Sequence, residues 1–162
     1  MEAKKIEFTL LLVYWIINLI NLRKIFISSD HAGFKLKENI KKYLSKNNIS
    51  FQDMGPSSDT RVDYPDFAHK VAKKVKTSKK NMGILVCGSG MGMNIAANRH
   101  KNIRAAQCFN LKSTKLSRLH NDANIITLGS RLLTKKNALN CINVFLNTKF
   151  EGGRHSKRIK KI

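Results

Sequence analysis

Apolar residues recur along this chain in two alternating patterns, short continuous runs and longer stretches with helical spacing. The run from Ile84 to Val86 is typical of a buried strand, whereas Leu36, Ile40 and Leu44 recur at intervals that place them on one face of a helix. Strands therefore alternate with helices from residue 24 onward. The predicted strands are 24–28, 49–54, 83–87, 103–108 and 124–128, and the predicted helices are 34–46, 67–75, 112–120 and 135–146, with another beginning near residue 95.

This alternation predicts an α/β fold, a doubly wound, Rossmann-like parallel sheet with helices on both faces. Ligands of such sheets bind beyond the carboxyl ends of the strands. The pair Asp30 and His31, the loop after Cys87 and the turn at Arg131 all follow predicted strands. We expect them to lie at one edge of the sheet.

Residues 1–23 do not follow this pattern. A charged start precedes the largely apolar stretch 8–22, which is short for a membrane span and lacks the small-residue cleavage site of a signal peptide. We interpret 1–23 as an extension, so that the domain covers 24–162. We expect no membrane partner. The alternative is that residues 8–22 tether the protein to a membrane.

Composition and charge narrow the class of protein. A length of 162 residues fits one domain with a proper core. The net charge of +21 would suit nucleic acid, but the lysines are scattered in pairs such as Lys41-Lys42 and Lys73-Lys74. We interpret these pairs as solvated faces and expect no nucleic-acid partner. The three cysteines lack CxxC spacing, which indicates neither a zinc site nor a disulfide framework and fits a cytoplasmic location.

The glycine-rich loop after Cys87 is the most informative segment. Gly88, Gly90 and Gly92 lie between a predicted strand and a helix, an arrangement that gathers backbone N–H groups at a point suited to an anion. The loop lacks the ending of a P-loop, and Met93 occupies the place of the third glycine in a dinucleotide fingerprint. The loop alone is equally typical of a structural turn.

Several side chains near these segments are candidates for chemistry. The helix that follows Cys87 should favour its reactive thiolate, although a small buried hydrophobe is the alternative. Cys108 and Cys141 lie in apolar runs and are expected to be inert core residues. Asp30 suits either catalysis or a helix cap. His120, in a polar cluster before the last strand, can shuttle protons near neutral pH.

Three arginines are candidates for binding an anion. Arg131, Arg154 and Arg158 offer planar, bidentate recognition, and the last two are spaced to share one face of a helical turn. Surface solvation is the competing interpretation in so basic a chain. Residues 151–158 otherwise resemble a polar tail.

Six motifs taken together resemble one known family. They are Ser29-Asp30-His31-Ala32-Gly33, Asp63-Tyr64-Pro65-Asp66, Cys87-Gly88-Ser89-Gly90-Met91-Gly92, Ile95-Ala96-Ala97-Asn98, His120-Asn121-Asp122-Ala123-Asn124 and Glu151-Gly152-Gly153-Arg154-His155. In content and order they are similar to the type B ribose-5-phosphate isomerases, a family that includes the galactose-6-phosphate isomerase subunits. The resemblance runs from residue 24 to residue 158.

The resemblance implies an isomerase that interconverts ribose 5-phosphate and ribulose 5-phosphate through a cis-enediolate, with no metal and no cofactor. It also implies a homodimer, or a tetramer, whose active sites are shared between subunits. One alternative is an isomerase of allose or galactose 6-phosphate. A nucleic-acid-binding protein that reuses the fold is the alternative from another class.

The resemblance further implies roles for individual residues. Cys87 would be the base that moves a proton between C1 and C2, because Met93, where some members place a glutamate, cannot accept a proton. Ser89 and the loop N–H groups would stabilise the enediolate oxygen, and His120, near Asp30, would open the furanose ring. The other substrate contacts would come from Asn121 across the subunit boundary, from Tyr64 in the pocket wall, and from His31, Arg131, Arg154 and Arg158 at the phosphate.

Overall fold

Five strands and six helices alternate along residues 23–162, which are the residues that the computed structural model describes. The interpretation of 1–22 therefore falls outside the described residues. The strands are β1 (Ile25–Ser29), β2 (Phe51–Asp53), β3 (Met82–Cys87), β4 (Ala105–Gln107) and β5 (Ile125–Gly129). The helices are α1 (Phe34–Lys46), α2 (Tyr64–Val75), α3 (Met91–Ala97), α4 (Leu111–Asn121), α5 (Lys135–Asn147) and α6 (Arg154–Ile159). In this part of the chain no helix combines the length and apolar character needed to cross a membrane.

All five strands are parallel and form one sheet in the order β2-β1-β3-β5-β4. After β1 the chain forms β2 on one side of β1, and it then crosses over to form β3 on the other side of β1. The connections that follow β1 and β3 therefore diverge and leave a crevice at the carboxyl ends of these two strands. The predicted doubly wound fold is confirmed.

Each strand alternates its side chains between two hydrophobic layers. Ile25 and Ile27 of β1 pack in the layer with α1 and α5, whereas Phe26 packs in the layer with α2 and α3. In β3, Val86 belongs to the first layer and Cys87 to the second. Apolar residues on both faces of a strand are required where helices cover both sides of the sheet.

The element boundaries differ from the sequence prediction mainly at helix starts. Strand ends agree within two residues, but α2 begins at Tyr64 and α3 begins at Met91, before the predicted positions. Gly90 adopts a left-handed conformation (φ +82°), which reverses the chain and lets α3 begin at once. The predicted polar tail contains the helix α6. The two positive-φ glycines before it, Gly152 and Gly153, produce the turn that starts this helix.

A buried lysine ties α1 to the segment after β2. Lys37 is fully buried, donates to both carboxylate oxygens of Asp53 at 3.1 Å, and lies 5.0 Å from the centre of the Phe34 ring. Lys41, in the pair predicted to lie on a solvated face, is half-buried and lies 2.7 Å from the same carboxylate, whereas Lys42 is exposed. Burial alone would raise the pKa of Asp53, but hydrogen bonds from Lys41, the Gly55 N–H and Lys37 hold that pKa below its usual range.

Gly33 is the point where the start of α1 comes closest to β3. A Cβ atom at Gly33 would lie 2.2 Å from the carbonyl oxygen of Val86, and neither backbone can move aside freely. We expect Gly33→Ala to lower the free energy of unfolding by about 3 kcal/mol, measured by urea denaturation.

Gly88→Ala is the control for that substitution. A Cβ atom at Gly88 would meet only the flexible guanidinium of Arg131, at 3.3 Å. We expect this variant to lose less than about 1 kcal/mol. If both variants lost the same free energy of unfolding, the close approach of Gly33 to β3 would not be what excludes a side chain there.

Candidate active site

Cys87, the last residue of β3, lies at the base of the crevice. The residue is 4% exposed, and its sulfur accepts a hydrogen bond from the Gly90 N–H at 3.0 Å. Its carbonyl oxygen accepts from the Ser130 N–H at 2.8 Å, in the turn that follows β5. Cys87 is thus held by the glycine loop through its sulfur and by the neighbouring turn through its backbone.

Backbone contacts hold the glycine loop in place. The Ser89 carbonyl accepts a hydrogen bond from the Gln107 side chain at 2.7 Å, and the Ser89 hydroxyl accepts from the Met91 N–H at 3.3 Å. A Cβ atom at Gly129 would lie 2.6 Å from the Ser89 carbonyl oxygen, so the loop can approach β5 this closely only because residue 129 is glycine. The sequence reasoning missed Gln107, whose short strand carries no motif.

Asp30 and His31 form the opposite wall of the crevice. The Asp30 carboxylate accepts a hydrogen bond from the Gly33 N–H at 2.8 Å, and the residue is 7% exposed. Asp30 therefore holds the turn that leads into α1, but the N-cap of the helix is Gly33 and no side chain caps it. The His31 Nδ1 atom accepts from the Val62 N–H at 3.5 Å, in the loop before α2.

Two glycines of the loop make room for larger side chains. A Cβ atom at Gly92 would lie 2.6 Å from the ring of Tyr64, which is 41% exposed at the start of α2. A Cβ atom at Gly88 would lie 3.3 Å from the guanidinium of Arg131. Tyr64 and Arg131 thus each pack closely against the glycine loop.

The remaining predicted residues lie at the other edge of the sheet. His120 and Asn121 end α4, which leads into the amino end of β5, whereas Cys87 is paired with Gly129 at the carboxyl end of that strand. The length of β5 separates the two ends by about 13 Å. A single chain therefore does not bring His120 close to Asp30.

Ion pairs hold the end of α4. Asp122, which adopts a left-handed conformation (φ +44°), lies 2.9 Å from Arg104 and 2.8 Å from Arg118. The Asn121 carbonyl accepts a further hydrogen bond from Arg104 at 2.9 Å. These contacts fix the backbone that carries His120.

His120 lies against α6. Its ring stacks on the His155 ring at a centroid distance of 4.3 Å, and its Nε2 atom lies 3.9 Å from a Glu151 carboxylate oxygen. Arg154 and Arg158 are exposed on the same short helix. The sequence reasoning missed His155 and Glu151 as site residues, although both stand in the quoted motif.

His120, Glu151 and His155 place one donor atom each within 4.8 Å of one another, and in the described part of the chain they are the only such group that could hold a metal ion. However, Arg154 donates to the His155 Nε2 atom at 3.4 Å, which occupies that lone pair and brings a positive charge beside it. With Arg158 on the next turn, these surroundings favour an anion over a cation.

Exposed apolar side chains are concentrated in the segments that follow three of the strands. They follow the carboxyl ends of β3, β4 and β5, the edge at which Cys87 lies. They are Met91 (50% exposed), Ile95 (61%), Phe109 (48%), Leu111 (47%) and Leu132 (54%). So many large apolar side chains around one edge are typical of a surface that meets another protein.

A separate cleft lies between α2 and the segment after α3. It has a volume of about 530 Å³ and is lined by Asp66, His69, Lys70, Lys73 and His100. His69 and His100 approach to 2.8 Å between ring nitrogens. None of the predicted site residues lines this cleft.

The sequence matches the family described as Ribose/Galactose Isomerase over residues 25–162. The chain is 46% identical over 138 residues to a putative sugar phosphate isomerase of Rickettsia bellii, which covers 85% of this chain and 96% of that protein. Its fold is similar to the crystal structure of a ribose 5-phosphate isomerase from Thermotoga maritima, with a TM-score of 0.83 and 48% identity over 85% of this chain and 95% of the other.

It is also similar to the crystal structure of ribose-5-phosphate isomerase B from Mycoplasma genitalium with bound ribulose-5-phosphate. The TM-score is 0.82 and the identity is 44%, over 85% of this chain and 92% of the other.

The three thiols differ in their surroundings, and alkylation tests this. Burial raises the pKa of Cys108 and of Cys141, both of which are core residues as predicted. Cys87 instead lies at the carboxyl end of β3, beside the glycine loop. We expect iodoacetamide at pH 8 to modify the folded protein at Cys87 alone, because only thiolates react and the other two thiols stay protonated. Mass spectrometry of the digest measures this, and labelling of Cys108 or Cys141 before Cys87 would contradict it.

Proposed function

The chain belongs to the ribose/galactose isomerase family, and we propose that it interconverts ribose 5-phosphate and ribulose 5-phosphate. Homologues named for this activity match it over most of their length. The observation that carries the proposal is the position of the Cys87 sulfur. It lies at the carboxyl end of β3, bonded to an N–H of a glycine loop, in the crevice where this fold binds ligands.

The reaction needs one base that reaches two neighbouring carbons. In the aldose-to-ketose direction the base removes the proton from C2, which leaves an enediolate, and then returns a proton to C1. The aldehyde becomes a hydroxyl and the C2 hydroxyl becomes a ketone, so no external oxidant or reductant is consumed. The Cys87 thiolate is this base in our proposal. Met93, buried at the start of α3, has no group that accepts the proton.

The glycine loop would stabilise the enediolate oxygen. Ser89 and the backbone N–H groups from Gly88 to Gly92 are the donors in this proposal. The left-handed Gly90 and the hydrogen bond from Gln107 hold the loop rigidly. Donors that are held in place need no reorganisation when negative charge develops, and this lowers the barrier.

We also propose that a second copy of the chain completes the site. His31 and Arg131 lie at the crevice, whereas Arg154 and Arg158, which would complete a phosphate clamp, lie at the opposite edge of the sheet. One chain cannot bring the two groups together. In a symmetric dimer each chain can lay the end of α4 and α6 over the crevice of the other. The exposed apolar side chains that follow β3, β4 and β5 support such an interface.

His120 would then open the furanose ring beside Asp30 of the facing subunit, and Asn121 would hold a sugar hydroxyl. A carboxylate has two oxygens. Asp30 can therefore hold the start of α1 through one oxygen and accept from a substrate hydroxyl through the other.

Substitution of Cys87 tests the proposed base. With chelator present, we expect the wild type to isomerise ribose 5-phosphate in preference to allose and galactose 6-phosphates. We expect Cys87→Ser to reduce kcat by about 10³-fold with the KM little changed, because the hydroxyl is a poor base in the same position. Cys108→Ser, which changes a buried thiol away from the crevice, is the control and should keep wild-type activity. Near-normal turnover by Cys87→Ser would refute the proposed base.

A mixed dimer tests whether the site is shared. Cys87→Ala and His120→Ala should each be inactive alone. Co-expressed with two different affinity tags and purified on both, they form a dimer in which one site has both Cys87 and His120. We expect this mixed dimer to recover about half of the wild-type activity, because one of two symmetric sites is intact. If each site lay within a single chain, the mixed dimer would stay inactive.

A further inference from the structure

The His120 ring has a partner that the proposed mechanism does not use. His155 lies parallel to it, with an interplanar angle of 8° and a centroid distance of 4.3 Å. His155 is 4% exposed, whereas the His120 side chain is 37% exposed. A buried ring therefore supports the ring that faces the solvent.

The chain path shows how His155 reaches this position. The N–H of Glu151 donates to a carbonyl oxygen in the last turn of α4 at 3.1 Å. Gly152 and Gly153 follow with φ of +76° and +53°, a region that residues with side chains rarely adopt. The N–H of His155 then donates back to the Gly152 carbonyl at 3.0 Å. The turn is anchored on both sides and aims His155 at α4.

The charged groups around the two rings determine where a proton resides. Burial lowers the pKa of His155, and His120, Arg154 and Arg158 lower it further, with Glu151 opposing them. Two imidazolium rings in contact would also repel each other. These surroundings therefore disfavour a proton on the His155 ring, while the His120 Nε2 atom lies 3.9 Å from a Glu151 carboxylate oxygen.

We propose that His155 is a positioning residue, whose stacked ring holds the His120 imidazole in the orientation in which it opens the furanose ring of the substrate. This inference rests on the proposed function. Ring opening breaks the C1–O4 bond, O4 gains a proton and O1 loses one, and C1 becomes an aldehyde. The proton count is unchanged. An imidazole serves this exchange only where its nitrogen lies within hydrogen-bond distance of the sugar oxygens.

Three substitutions of His155 separate stacking from its other contacts. His155→Phe keeps a flat ring in the buried space but has no ring nitrogen. His155→Gln keeps polar atoms that can contact Arg154 but has no ring. His155→Ala removes both the ring and the polar atoms. His69→Ala is the matched control, because His69 contacts another histidine, His100, in the separate cleft. Thermal unfolding of each variant measures the effect on stability separately.

Two readouts separate ring opening from the transfer of a proton between carbons. One is the conversion of ribose 5-phosphate, and the other is the uptake of solvent deuterium at C1 of ribulose 5-phosphate. Because O5 of ribulose 5-phosphate carries the phosphate, this sugar forms no furanose ring. Its deuterium uptake therefore reports the Cys87 step without ring opening.

We expect His155→Ala and His155→Gln to slow conversion about 30-fold while deuterium uptake stays within about threefold of wild type, because a displaced imidazole catalyses poorly. We expect His155→Phe to restore conversion to within about threefold of wild type, since a phenyl ring supports the same stacking. His69→Ala should leave both rates unchanged.

Other results would overturn the inference. Equal loss of conversion and deuterium uptake in His155→Ala would mean general damage to the site. Rescue by His155→Gln but not by His155→Phe would assign the effect to the contact with Arg154. Unchanged conversion in His155→Ala would leave His155 without a role. A wild type that converts no ribose 5-phosphate would refute the proposed function itself, which is a distinguishable result.

Discussion

The direction of the strands is the constraint on which the rest of this structure depends. In a parallel sheet every strand ends at the same edge, so Asp30, Cys87 and Arg131 meet there although they are far apart in sequence. The same rule sends the end of each crossover helix to the opposite edge. His120 at the end of α4 is thereby separated from Cys87, which is why the proposed site draws on a second chain.

Close backbone approaches turn this topology into a defined crevice. Gly33 allows α1 to begin against β3, and Gly129 allows the loop at Ser89 to lie against β5. Because the atoms that a Cβ would meet are backbone atoms, these contacts tolerate little change. The position of the Cys87 sulfur follows from them, since the loop that donates to it is held from both sides.

The candidate site was predictable in part. Cys87 and its glycine loop, Asp30, and the arginines could all be read from motifs, because their residue types and spacing are unusual. The residues that support them could not be predicted from motifs. Gln107 and His155 contact residues distant in sequence or across a turn, and although His155 stands in a quoted motif, its residue type and spacing do not indicate which side chain it packs against. The ion pair of Lys41 was missed for the same reason, since its partner Asp53 lies on another element.

The sequence by itself determined the alternation of strands and helices, the two hydrophobic layers and the candidate reactive side chains, because these depend on local periodicity and side-chain chemistry. Only the tertiary structure decided which of those groups lie together. Strand order and crossover direction place Cys87 and His120 at opposite edges, and the turn at Gly152 and Gly153 brings His155 onto His120. Such distances depend on how the elements pack against one another, which local sequence does not specify.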